Sequence, residues 1–198
     1  MAEALPTIYL ARHGETEWSL SGQHTGLTDI PLTPRGERNA RQLGARLAGL
    51  RFPHVFTSPL KRAHRTCELA GFGAQAIVDP DLVEWNYGDY DGMTSADIQR
   101  QRPDWQLFRD GCPGGESVAD VIARADRVVA RLRGLGSHAL VFSSGHFLRI
   151  LGVRWCGLAT AAGKCLYLST AALSEVGYEH DLEEPVIRLW NDCRHVEA

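Results

Sequence analysis

Three short stretches carry side chains that could work together: Arg12-His13-Gly14, Ser58-Pro59 leading to Arg62, and Ser143-Ser144-Gly145-His146. A neutral imidazole is a nucleophile, and nearby guanidinium charges lower its pKa toward the neutral form. Its second ring nitrogen needs an acceptor to fix the tautomer, and a backbone carbonyl near Gly14 is the expected one. Two fixed guanidiniums present forked donors that match the oxygens of a tetrahedral phosphoryl group. Two histidines and two arginines around one such group would allow transfer in two steps, first to an imidazole and then to water.

That chemistry requires the three stretches to meet, and the surrounding sequence supplies the means. The runs 7–11 (TIYLA), 54–58 (HVFTS) and 139–144 (ALVFSS) read as buried strands, and each ends where a polar group begins. Thr33-Pro34 is a helix start, with Thr as N-cap and Pro at the first helical position. Ala40, Leu43, Leu47 and Leu50 follow at helical spacing, with Gly49 near the stop. Ser58-Pro59 repeats the cap signal and predicts a helix through about Ala70, with Arg62 on its first turn. The run 76–79 (AIVD) leads into an aromatic, Gly-containing loop over 84–92 (EWNYGDYDG). Ser117 caps a long helix, with Asp120 completing a box-like cap and Val118, Val121, Ile122, Ala125, Val129 and Leu132 on its apolar face. A further helix is expected from about His146 to Cys156, and two or three strands within 164–191. Strands alternating with helices predict a three-layer α/β/α sandwich with a mostly parallel sheet, a single domain over residues 1–198. In such sheets ligands bind beyond the carboxyl ends of the strands, where helix N-termini add backbone donors for an anion.

Composition removes other classes. With 44% hydrophobic residues, the 198-residue chain can bury a real core. A net charge of −3 gives no footprint for nucleic acid or an anionic membrane. No apolar run is long enough to span a bilayer, and MAEALPT does not read as a signal peptide, so a cytoplasmic enzyme is expected. The cysteines (Cys67, Cys112, Cys156, Cys165, Cys193) are odd in number and never in CxxC spacing, which suits a reducing compartment. No metal and no cofactor are expected, because guanidiniums beside the two histidines repel a divalent ion. The expected partner is a small phosphorylated substrate, and a homo-oligomer is compatible with the sequence.

Read in order, RHGETEW, TGLTDIPLTPRGE, SPLKRAHRT, EWNYGDYDGM, GCPGGES and SGHFLRI resemble the motifs of the histidine phosphatase superfamily, from residue 12 to about 150. The likeness is to its small phosphatase branch, with acid phosphatases and sedoheptulose-bisphosphatase-like sugar phosphatases. The resemblance implies that His13 is the nucleophile and becomes phosphohistidine. It implies that Arg12, Arg62 and His146 bind the phosphoryl group, and that Glu84 protonates the leaving group. Ser19, Thr25, Gly26, Tyr87 and Phe147 are the substrate contacts it suggests. Trp85 and Tyr90 either pack beneath the loop or touch substrate. His24, His54, His64, His138, His180 and His195 match no motif and are expected to be solvated or structural.

Two departures stand out. Mutases of the family commonly have Asn where this chain has Ser19. Many relatives have His-Gly-His where this chain has Ser144-Gly145-His146, and the essential histidine is read as the one kept at His146. The expected activity is metal-independent hydrolysis of small phosphomonoesters, sugar phosphates or bisphosphates. The alternatives are a cofactor-dependent phosphoglycerate mutase and a non-catalytic phospho-ligand binding module. Against the mutase, Thr94-Ser95 follows the aromatic loop where mutases carry Lys, and the insertion before GCPGGES is short. Against the silent module, all five residues of the implied machinery are present.

Overall fold

The computed structural model describes residues 5–196. Its frame is a six-stranded sheet in the order β3-β2-β4-β1-β5-β6. These are β1 (Ile8–Arg12), β2 (His54–Thr57), β3 (Ile77–Val78), β4 (Ala139–Ser143), β5 (Leu173–Tyr178) and β6 (Pro185–Asp192). β1 pairs parallel with β4, β4 with β2, and β2 with β3, whereas β5 runs antiparallel to both β1 and β6. All five residues of β4, ALVFS, are buried, as a strand covered on both faces must be.

Alternation along the strands splits the core into two layers. Leu140 and Phe142 of β4 pack with Leu43 and Leu47 of α2 (Pro34–Leu47) and Cys67 of α3 (Lys61–Leu69). Val141 points the other way, into the core formed with Val121, Ala125 and Val128 of α6 (Val118–Gly134) and Leu148 and Leu151 of α7 (Gly145–Trp155). The three-layer α/β/α sandwich with a mostly parallel sheet expected from the sequence is therefore the observed one. β4 enters between β1 and β2, so the carboxyl ends of these three strands meet at a switch in strand order. No helix among the described residues is long and apolar enough to cross a membrane.

Some local expectations shift. Thr33 caps α2 as expected, its side chain accepting from Gly36 N–H. Leu50 lies beyond the end of α2 and is exposed. The helix expected from Ser58-Pro59 begins only at Lys61, and its N-cap, Leu60, makes no side-chain cap bond. A distant carboxylate does that work, since Asp29 Oδ1 accepts from Lys61 N–H at 2.7 Å. On α6 the Ser117–Asp120 capping box forms, and the buried face includes Arg124 and Val128, with Ile122 only half-buried. Three short helices were not anticipated: α1 (Glu17–Ser21), α4 (Ser95–Gln101) and α5 (Leu107–Asp110). The Thr94–Asp97 capping box that starts α4 was readable, but seven residues with one buried side chain give no apolar period.

Candidate active site

The sheet ladder continues one residue past β1. His13 N–H donates to Ser143 O and Ala171 N–H donates to His13 O, both at 2.9 Å. Gly14 follows, and a Cβ there would lie 2.5 Å from Gly36 O, so only glycine lets this turn seat against the start of α2. His13 is 4% exposed, and its Nδ1 lies 2.7 Å from Gly14 O. A carbonyl only accepts, so the proton sits on Nδ1 and the Nε2 lone pair is free. Burial first, and then the charges of Arg62 and Arg12, hold the pKa of His13 well below its usual value. The sequence argument credited the arginines; desolvation is the larger cause, and both leave the ring neutral.

The guanidiniums are clamped by backbone carbonyls. Arg62, fully buried, donates through Nη1 to Thr28 O at 2.9 Å and through Nη2 to Gly26 O at 2.7 Å. Arg12 donates through Nη1 to Leu168 O at 2.5 Å. A Cβ on Gly145 would lie 3.1 Å from Arg12 Cζ, so the glycine at the start of α7 makes room for this group. After these bonds the Nε of each arginine is buried and has no partner.

Glu84 is 6% exposed and closes another side of the cleft. Its Oε1 accepts from Trp85 N–H (2.9 Å) and Phe147 N–H (2.8 Å), and its Oε2 from His146 N–H (3.1 Å), so it caps the N-terminus of α7. Arg124 and Glu116 fix the backbone beneath it. Arg124 pairs with both carboxylate oxygens of Glu116 (2.9 and 2.8 Å) and donates to the carbonyls of Asp81 (2.9 Å) and Val83 (2.7 Å). Glu116 in turn accepts from Asn86 N–H at 2.8 Å. From the sequence this face of α6 reads as apolar core, and the Arg124–Glu116 pair is not anticipated.

The two histidines are not equivalent. β1 and β4 pair Arg12 with Ser143, so one further step in register sets Ser144, not His146, beside His13. His146 lies two residues on, in the first turn of α7. It lines the cleft, but its Nδ1 is 2.5 Å from Tyr87 Oη, and its ring packs on Phe108 (5.5 Å) and His24 (5.7 Å). Burial and then the charge of Arg149 push its pKa well down. Both imidazoles line one cleft, but His146 enters it from the first turn of α7 rather than from the strand end beside His13.

Of the expected substrate contacts, Ser19, Thr25 and Tyr87 line the cleft. Gly26 instead supplies the carbonyl that holds Arg62. Phe147 is a correction: it is fully buried in the core, with the Arg124 guanidinium 4.4 Å above its ring. Trp85 and Tyr90 pack, Trp85 donating from Nε1 to Glu116 O and Tyr90 lying edge-on to Trp105. His24 is a miss in the other direction. It is 8% exposed, lines the cleft, lies tilted against Tyr87 at 4.6 Å and meets Ser95 Oγ through Nε2 at 3.2 Å. Arg149 was also missed, although its place one helical turn after His146 puts both on one face. It donates to the carbonyls of Gly163 (2.9 Å) and Lys164 (3.1 Å) and lines the same cleft. The cleft holds about 230 Å³. Among the described residues, the His, Cys, Asp and Glu side chains close enough to share an ion are Glu179, His180 and Glu184, which are exposed beside the β5–β6 turn.

A neutral imidazole, two anchored guanidiniums and a carboxyl lining one cleft at the strand ends form a set of groups that suits phosphoryl transfer. The sequence profile of the histidine phosphatase superfamily (branch 1) matches residues 8–193. The chain is 40% identical over 181 residues to an acid phosphatase of Mycobacterium tuberculosis, covering 89% of each chain. It is 37% identical over 191 residues to a sedoheptulose 1,7-bisphosphatase of Saccharomyces cerevisiae, covering 80% of this chain and 70% of that one. A protein of Cronobacter sakazakii named "Probable phosphoglycerate mutase GpmB" is 33% identical, covering 96% and 95%. The solved structure of an open reading frame from Mycobacterium tuberculosis superposes with a TM-score of 0.89 at 38% identity, covering 94% of this chain and 97% of that one. The chain belongs to the histidine phosphatase superfamily, and within it is a phosphatase.

Proposed function

We propose that this phosphatase hydrolyses small sugar phosphates or bisphosphates without a metal ion, with His13 as nucleophile. The observation that carries this reading is the neutral, tautomer-fixed His13, with the Nε of Arg12 and of Arg62 buried beside it and unspent. The Nε2 lone pair of His13 forms a bond to phosphorus as the bond to the leaving oxygen breaks. The departing oxygen takes its electron pair and a proton from Glu84. Charge on the transferring group falls on the two guanidiniums, which are already oriented and need no rearrangement. Glu84 then accepts a proton from the water that attacks the phosphohistidine, releasing inorganic phosphate and restoring the free imidazole.

The substrate class rests on size, polarity and kinship. A cleft of about 230 Å³ lined by Ser19, Gln23, Thr25 and Ser95 suits hydroxyl-bearing ligands. The yeast relative is named for a sugar bisphosphate. Against mutase action, the cleft is lined by three arginines, Arg12, Arg62 and Arg149. With two of them on the phosphoryl group, a single cation is left for a second charged end. A phosphate-release screen over sugar phosphates, phosphoglycerates, nucleotides and phosphoamino acids tests the reading. Sugar phosphates should be turned over fastest, unchanged by a chelator, and vanadate should inhibit. Chelator-sensitive activity restored by a divalent ion would overturn the mechanism.

A further inference from the structure

Buried polar atoms without partners are rare in folded proteins and each needs a reason. Seven side-chain atoms of this kind occur among the described residues: Arg12 Nε, Gln42 Oε1, Arg62 Nε, Asp91 Oδ1, Ser137 Oγ, Ser144 Oγ and His195 Nδ1. Two of the seven are the arginine nitrogens already placed around His13. Ser144 Oγ belongs with them by position. The β1–β4 register puts Ser144 next to His13, and its backbone is extended (φ −115°, ψ 167°), so strand alternation persists through it. Its neighbour Ser143 turns its hydroxyl the opposite way, donating to Leu82 O at 2.6 Å. Ser144 therefore projects from the same face of the sheet as His13. It is fully buried, yet as the N-cap of α7 it makes no side-chain cap bond. The N–H groups of His146 and Phe147, which an N-cap serine would ordinarily serve, are held by Glu84 instead.

We infer that Ser144 is a further catalytic residue, whose hydroxyl donates a hydrogen bond to an oxygen of the phosphoryl group as it passes to His13. The inference rests on the phosphoryl-transfer reading above. It gives the inner site three donors, Arg12 Nε, Arg62 Nε and Ser144 Oγ, and one imidazole. Ser144 gains and loses no proton in either step; it neutralises charge on a non-bridging oxygen while the N–P bond forms. His146 is left to the outer part of the cleft with Tyr87, His24 and Arg149. A serine there also keeps the inner site free of a second titrating ring.

The test is Ser144→Ala, read with p-nitrophenyl phosphate, a sugar phosphate and vanadate. Loss of one donor to the transferring group should lower kcat by roughly 10²-fold with both substrates. Vanadate should bind correspondingly more weakly, while the melting temperature should not fall, because the hydroxyl has no partner to lose. A structure of the wild-type vanadate complex, independent of any variant, should place Ser144 Oγ within hydrogen-bond distance of a vanadate oxygen. A folded Ser144→Ala enzyme with kcat and vanadate affinity within twofold of wild type would overturn the role of Ser144 alone. Wild-type protein that neither releases phosphate nor binds vanadate would overturn the underlying phosphoryl site, and this inference with it.

Discussion

The inner and outer halves of the cleft are held by different means. In the inner half, His13, Arg62 and Ser144 are buried and sit at strand ends or on the first turn of a helix. Their anchors are backbone carbonyls: Gly14 for His13, Thr28 and Gly26 for Arg62, Leu168 for Arg12. The outer half is built from side chains on separate elements: Trp18 on α1, Gln23 and His24 on a loop, Ser95 on α4, Arg149 on α7. There side-chain pairs, Ser95 with His24 and His146 with Tyr87, share the work with the backbone carbonyls that hold Gln23 and Arg149. The difference separates two demands. Groups that act on a transition state must be in place before it forms, whereas groups that fit a substrate can vary with the loops that carry them.

The sharpest way to break this contrast is at the centre of the inner half. His13→Ala removes the attacking nitrogen, while Glu84, held by three backbone N–H groups, serves the leaving group and water rather than phosphorus. Turnover should fall by more than about 10⁴-fold, with the circular dichroism spectrum unchanged. Rapid acid-avoiding quench of the wild-type enzyme should trap a phosphohistidine that the variant lacks. A variant with normal turnover would remove the covalent mechanism.

Glu84 stands between the halves, and its test is graded by the leaving group. A sugar alkoxide is strongly basic and needs a proton as the P–O bond breaks; a nitrophenolate leaves readily without one. Glu84→Gln should slow phosphohistidine formation from a sugar phosphate by roughly 10²–10⁴-fold, and from p-nitrophenyl phosphate far less. Breakdown of the intermediate also needs Glu84 to activate water, so burst kinetics must separate the two steps. Equal slowing of the first step with both substrates would show that another group is the acid. Asp91, whose carboxyl burial pushes upward in pKa, would be the next to test.

The inner half was largely legible in sequence, and the outer half was not, for the same physical reason. A strand end followed by glycine is a local pattern, so Arg12, His13 and Arg62 could be placed from a few residues each. The sheet order then brought them together. His24 and Arg149 reach the cleft through tertiary packing of elements that are short or whose polar face is ambiguous, and no local period marks them. Ser144 and His146 show the limit most clearly. The sequence supplied a histidine near a strand end, and only the β1–β4 register tells that the serine two residues earlier is the neighbour of His13. Phe147 failed by one residue of helical phase, which turned it from the cleft into the core beneath Arg124.

The smallest expected effect is on stability, and it connects both halves through their imidazoles. His13, His24 and His146 are all buried, and burial is the first cause that lowers each pKa below the usual 6.5. In the unfolded chain the same rings take up protons as pH falls through about 6.5. Below that point the unfolded state binds more protons than the native state, so stability rises with pH and is lost on acidification. Each ring that stays neutral in the fold contributes a slope of at most about 1.4 kcal/mol per pH unit. The exposed His180 works in the opposite sense, because its bond to Glu184 raises its pKa. His24→Gln removes one buried ring while leaving an amide able to meet Ser95. Urea unfolding at pH 7, 6 and 5 should therefore show a shallower loss of stability in the variant than in wild type. The sugar-phosphate KM should rise several-fold with the burst from p-nitrophenyl phosphate nearly unchanged. An unchanged pH slope would mean that His24 takes up its proton within the native fold. A collapsed burst would mean that the outer half reaches into the chemistry, and the division between the two halves would have to be redrawn.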